Sequence, residues 1–159
     1  MINDRIEREI YIAAPVSRVW AVITEPEHVG MWFGEGEPAE IDLRPGGRIV
    51  FDHGVHGKLP AVIERLDEPK RFAFRWAADD TGGREPTEVN STLVEFSLEP
   101  ERDGDREGTR LRVTESGFST VIAEPDAMER RYKANKGGWS HALVGLAEYT
   151  KQEVELADS

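Results

Sequence analysis

Two ionisable side chains stand on faces that are otherwise apolar. His53 follows Ile49 and Phe51 at alternate positions of RIVFDH, and Glu115 follows Leu111 and Val113 in RLRVTE. An imidazole and a carboxyl facing one cavity could bind a polar ligand group or move a proton. His53 and Glu115 are therefore the catalytic candidates, set against the plainer reading that both are solvated where strand alternation ends. Asp52 to His56, DHGVH, has the residue types of a metal site. On a strand, however, Asp52 and His53 point to opposite faces and Gly54 invites a turn, so three ligands do not converge and no metal is assigned. The stretches DDTGGREP and ERDGDREG lack the lysine and hydroxyl residue of a phosphate-binding loop and read as hairpin connections. Ser140 has no nucleophile-elbow motif around it. His141, two residues after Trp139, projects away from the apolar stripe of its helix. No cofactor is implied.

Positioning these groups needs strands on one side and a helix on the other. RIEREIYI (5–12) alternates, with Ile6, Arg8, Ile10 and Ile12 on one side. AAPVSRVWAVIT then shows a helical stripe of Val16, Val19, Trp20 and Ile23, with Pro15 suited to the first helical position. Glu25-Pro26 ends it and opens a shorter helix, PEHVGMWF, with Val29, Trp32 and Phe33 inward. From residue 37 the period is two: PAEIDL, the turn RPGG, RIVFDH, KLPAVIERLD, KRFAFRWA, VNSTLVEFSLEP and TRLRVTES. A late helix beginning near Pro125 carries Met128, Tyr132, Asn135, Trp139, Ala142, Leu143, Leu146, Thr150 and Val154 on one face. Its stripe runs for about 30 residues, or roughly 45 Å. Gly137 and Gly138 interrupt it, each at a cost of about 1 kcal/mol against alanine. The expectation is that they remove bulk where the helix meets the sheet, beside Trp139.

The chain has 159 residues, which suits one domain over 1–159. It has no cysteine, so neither a disulfide framework nor a thiolate metal site exists. Lys plus Arg is 20 and Asp plus Glu is 31, a net charge of −11 that repels phosphate backbones. Nucleic acid is excluded as a partner on this reading. The charged MINDRIEREI start does not read as a signal peptide, and no run approaches the ~20 apolar residues of a membrane span. The expected location is the cytoplasm, with no membrane association.

Strand alternation turns Phe51, His53, Phe74, Trp76, Phe96, Val113 and Glu115 toward the helix, and the helix answers with Trp139 and Leu143. With Trp32 these form the expected ligand-binding cavity, apolar and aromatic as small-molecule sites usually are. The element order, with APVSRVWAVIT followed by Trp32 and Phe33, RPGGRIVF, DEPKRFAFRW and GGWSHALVGL, resembles the helix-grip fold of the START and birch-pollen-allergen (SRPBCC) superfamily. Within it the chain is most similar to the family of the activator of heat-shock protein 90 ATPase. That resemblance implies an α+β fold: an antiparallel sheet of about seven strands, curved around a long C-terminal helix, with two short helices after the first strand. It implies binding of a small hydrophobic or amphipathic molecule without a strong catalytic signature. It leaves two alternatives open: a cyclase, hydrolase or dehydratase of an aromatic or polyketide-like substrate, and a chaperone-associated, stress-response interaction module. A homodimer is also open.

Overall fold

The computed structural model describes residues 4–33, 38–52, 57–78 and 85–158. Alternation in the sequence becomes one antiparallel sheet of seven strands. They are β1 (Arg5–Ile12), β2 (Glu40–Ile41), β3 (Arg48–Asp52), β4 (Lys58–Asp67), β5 (Arg71–Ala77), β6 (Ser91–Asp103) and β7 (Arg106–Ser116). Their order is β1-β7-β6-β5-β4-β3-β2, so the first strand pairs with the last and every other strand lies beside its sequence neighbour. Helices α1 (Val16–Thr24) and α2 (Pro26–Trp32) come between β1 and β2, and α3 (Pro125–Asp158) ends the chain. A long helix held against one sheet, with two short helices beside it, is the helix-grip arrangement.

Local chemistry explains the punctuation. Pro15 is the N-cap of α1 rather than its first residue, with extended backbone. Pro26 starts α2, and the extended Glu25 before it both ends α1 and opens α2. In the turn before β3, Gly46 has φ +80°, and a Cβ at Gly47 would strike the Asp42 carbonyl oxygen. That turn is docked on β4 by paired backbone bonds, Gly46 N–H to Ile63 O and Ile63 N–H to Gly47 O, both 2.8 Å. In β4 a register shift between Ile63 and Arg65 inserts one residue, so Ile63 opposes Phe74 and Leu66 opposes Phe72. The bulge restores the inward phase after Glu64 and Arg65, which are both exposed.

The hairpin of β6 and β7 is longer than the sequence suggests. Residues 101–108 read as a charged turn, yet backbone pairing continues out to Asp103 opposite Arg106. The side chains there are charged and mostly exposed, so the ladder continues without a hydrophobic period. The outer face of the sheet is an arginine–carboxylate lattice. Arg110 reaches Glu101 at 2.6 Å and Glu9 at 3.4 Å, Arg112 reaches Glu9 at 2.8 Å, and Arg75 reaches Glu64 at 2.9 Å. Each such pair contributes little, ~0–1 kcal/mol, but together they leave only one face for a core.

That core lies between the inner sheet face and α3. Met128, Tyr132, Trp139, Ala142, Leu143, Leu146 and Thr150 are all buried, the stripe expected of α3. The two glycines correct the sequence reading. Gly137 and Gly138 face away from the sheet, and a Cβ at either would meet nothing within 4 Å. The helix passes through them unbroken. Nothing in the packing explains why glycine stands there. Gly138→Ala is therefore expected to stabilise the fold by about 0.8–1 kcal/mol, through helix propensity alone. Leu146→Ala, at a fully buried position, is expected to destabilise it by about 2–5 kcal/mol. Urea unfolding midpoints at constant m-value measure both. A Gly138→Ala variant less stable than the parent would restore the close-approach role.

Candidate functional site

Glu115 is fully buried near the end of β7, and its carboxylate is the meeting point of three strands and α3. The register makes this possible. Trp76 on β5 lies opposite Thr92 on β6, and Val94 on β6 lies opposite Glu115, so the three polar side chains are close neighbours on the inward face. From α3, Asn135 and Trp139 project together because they are one helical turn apart. Oε1 accepts from Trp139 Nε1 at 2.8 Å and from Asn135 Nδ2 at 3.1 Å. Oε2 accepts from Thr92 Oγ1 at 2.6 Å, Trp76 Nε1 at 3.0 Å and the same Asn135 nitrogen at 3.1 Å. All four partners are donors, which matches the acceptor-only form of a carboxylate. Among the described residues no cation pairs with it, so neutral donors carry the whole cost of burying it.

Beside this network lies an aromatic space walled by Phe51, Phe72, Phe74 and Phe96 from the sheet, Trp139 from α3, and Ile23, Val29, Trp32 and Phe33 from the short helices. Its free volume is about 10 Å³, at the lower limit for a single water. The ring of Phe33 closes it. This ring is stacked on Trp139 (centroids 5.7 Å, planes 6° apart) and on Trp76 (5.8 Å, 20°), with Phe51 edge-on at 5.1 Å. Each such pair adds about 0.5–1.5 kcal/mol beyond area burial. The indole N–H of Trp32 is used as well, donating to Val22 O at 2.8 Å. Every tryptophan N–H around the space thus has an acceptor inside the protein.

Phe33 is brought here by α2, which is clasped to α3 by polar contacts. His28 Nδ1 lies 2.6 Å from Tyr149 Oη, the two rings meet edge to face at 5.6 Å, and Glu25 reaches His28 Nε2 at 3.3 Å. Burial, and then the charge of Glu153, push the Tyr149 phenol above its ordinary range, so it remains a neutral hydroxyl.

Of the residues nominated from sequence, Trp32, Phe51, Phe74, Phe96 and Trp139 wall the space. Trp76 stacks at its edge on Phe33. Val113 and Leu143 are buried in the same core without touching the space. Glu115 is not at a solvated mouth, and both its oxygens are engaged. His53 lies outside the described residues, as does the rest of DHGVH after Asp52. Among the described residues no group of three or more His, Asp or Glu could hold a metal ion. Asn135 and Thr92 were missed as functional groups. Their signal was polarity on an apolar stripe and in phase with Val94 and Phe96.

The chain belongs to the family described as activator of Hsp90 ATPase homolog 1-like protein, whose model matches residues 13–151. Protein MLL2253 from Mesorhizobium loti shares the fold with a TM-score of 0.70 at 22% identity, over 93% of this chain and 97% of that one. The Aha1 dimer protein from Colwellia psychrerythraea is similar at a TM-score of 0.68 and 20% identity, over 93% and 95%. DynU16, a protein in the dynemicin biosynthetic locus, gives 0.68 at 22% identity, and this chain, 94% covered, spans about half (48%) of its length. A comparison with curated proteins finds no match.

The carboxylate network makes a sharp prediction. Glu115→Gln keeps the shape but replaces one acceptor oxygen by an NH2, which faces an indole N–H, of Trp76 or of Trp139, that can only donate. It should cost about 1–3 kcal/mol for each donor left unsatisfied, and red-shift the tryptophan emission as the indoles loosen. A chemical-denaturation difference under 0.5 kcal/mol would show that the carboxylate does not hold the helix to the sheet.

Proposed function

We propose that this member of the activator of Hsp90 ATPase homolog 1-like family binds a small apolar or amphipathic molecule between the sheet and α3, and has no strong catalytic role of its own. The observation that carries the reading is the aromatic space, closed by one half-buried ring on a short helix. Such a wall suits a small molecule, and among the described residues the polar groups around it already serve the fold. A structural neighbour in a biosynthetic locus agrees with a small-molecule ligand. A cyclase, hydrolase or dehydratase would need an acid or base free to reach the substrate. The buried carboxylate here is bound by four side chains instead. The test uses 8-anilinonaphthalene-1-sulfonate, an amphipathic probe. It should quench tryptophan fluorescence at saturation and raise the melting temperature by linkage, in proportion to the logarithm of probe concentration. Quenching without any thermal shift would place the probe on the surface and end this reading.

A second reading, a chaperone-associated module, takes its support from the family and from two exposed neighbours. Val89 and Ile122 are joined by a 2.7 Å backbone bond, and both side chains are exposed. Two side chains make a far smaller patch than the few hundred Å² of a functional apolar surface. Adding the protein to heat-shock protein 90 should therefore leave its ATPase rate unchanged. Stimulation that Val89→Ser with Ile122→Ser abolishes would put the chaperone reading first.

A further inference from the structure

The outer face of the sheet, turned away from α3 and the aromatic space, carries a cup of its own. Strand register lays two rows of side chains across it. One runs Asp67, Arg71, Ser97, Arg112, Glu9, and the next runs Arg65, Ala73, Glu95, Thr114, Glu7. Arg65 stands in the second row because the β4 bulge turns it outward. Ala73 and Thr114 are short and buried on a face of long side chains, and above them lies a free volume of about 190 Å³.

Most charges around the cup are matched. Arg112 meets Glu9 at 2.8 Å, Arg65 meets Asp67 at 3.7 Å, and Arg5 meets Glu7 at 4.0 Å. Arg71 and Glu95 are the exceptions. Both line the cup, and among the described residues neither has an ion pair or a side-chain hydrogen bond. The hydroxyls of Ser97 and Thr114, also in its lining, are likewise unengaged among the described residues. Glu95 is half-buried, where an unpaired carboxylate costs more than at full exposure.

We propose that this cup binds a small amino acid as its zwitterion, at a site separate from the ligand space on the other side of the sheet. The carboxylate lies over Ser97, between Arg71 and Arg112, and the ammonium donates to Glu95 and to the Thr114 hydroxyl. Ser97 and Glu95 are two residues apart on β6, about 6.5–7 Å along the strand. The two ends of one small amino acid bridge that gap when each reaches its partner through a hydrogen bond. Charge selects the class. A plain anion is repelled by Glu95 and by the net charge of −11, and a plain cation is repelled by Arg71 and Arg112. A zwitterion is neutral overall and sets an opposite charge against each group. Its side chain is left toward solvent, so glycine, which has none, is a sufficient probe.

Glycine, acetate, methylammonium and inorganic phosphate are titrated into isotope-labelled protein at constant ionic strength, following the amide resonances of Ala73, Glu95, Ser97 and Thr114. Glycine should give saturable shifts there, with a Kd at least about tenfold below those of acetate and methylammonium. Glu95→Gln should reduce glycine to the affinity of acetate, and Arg71→Gln should weaken glycine by about tenfold or more. Both side chains are on the solvent side of the sheet, so amides elsewhere should keep the parent spectrum. If Glu95→Gln does not keep it, Arg71→Gln decides the matter. Acetate or phosphate binding as tightly as glycine would make the cup an anion site and overturn the zwitterion. Glycine shifts that fail to saturate, or that persist unchanged in both variants, would overturn the site itself.

Discussion

A single buried carboxylate sets the terms for the interior. Glu115 has no counter-cation among the described residues, so its burial is tolerable only while Trp76, Thr92, Asn135 and Trp139 all point at it. Those four come from β5, β6 and two adjacent turns of α3. Apolar packing holds the stripe of α3 inward, and the hydrogen bonds to Glu115 add a directional constraint to it. The strength of such charge-assisted bonds falls steeply with angle and distance. The carboxylate therefore fixes the register of the helix as well as its attachment. It also explains why two tryptophans can be buried without leaving an indole N–H unsatisfied.

The site inherits its character from that tie. With its N–H group committed, Trp139 turns ring surface toward the aromatic space, and the remaining walls are Trp32, phenylalanines and aliphatics. Among the described residues, the polar side chains nearest the space are spent on structure. The second constraint is closure. The space is closed by Phe33, the residue that caps α2, a short helix held in place by the buried Val29 and, toward α3, by His28 and Tyr149.

Much of the architecture was legible in the residues, because it depends on local periodicity. The inward sets of β3, β5, β6 and β7 and the stripe of α3 follow from periods of two and 3.6; their apolar members on the strands are buried, as is the stripe of α3 apart from the partly buried Asn135 and Val154, while His53 lies outside the described residues. The turn at Gly46 and Gly47, and the helix boundary at Pro26, follow from backbone chemistry at single positions. The outer half of the β6–β7 hairpin was not legible. Its ladder is held by backbone bonds between charged residues, and no hydrophobic period marks it.

The residue types could show that Glu115, Asn135 and Thr92 interrupt apolar faces, each an anomaly separately. Only the tertiary structure joins them, because they meet through pairing and packing between segments 20 and 23 residues apart in sequence. Exposure of Gly137 and Gly138 was decided in the same way. Helical period places a residue at an angle around the axis, but what stands opposite that angle depends on where the sheet lies. The sequence by itself determined which side chains face inward and that the pocket walls would be aromatic. The tertiary structure decided that the carboxylate is a structural tie, that the tryptophans offer faces rather than N–H groups, and that Phe33 fills the space. Those outcomes depend on distances between segments far apart in the chain, and a local pattern carries no information about such distances.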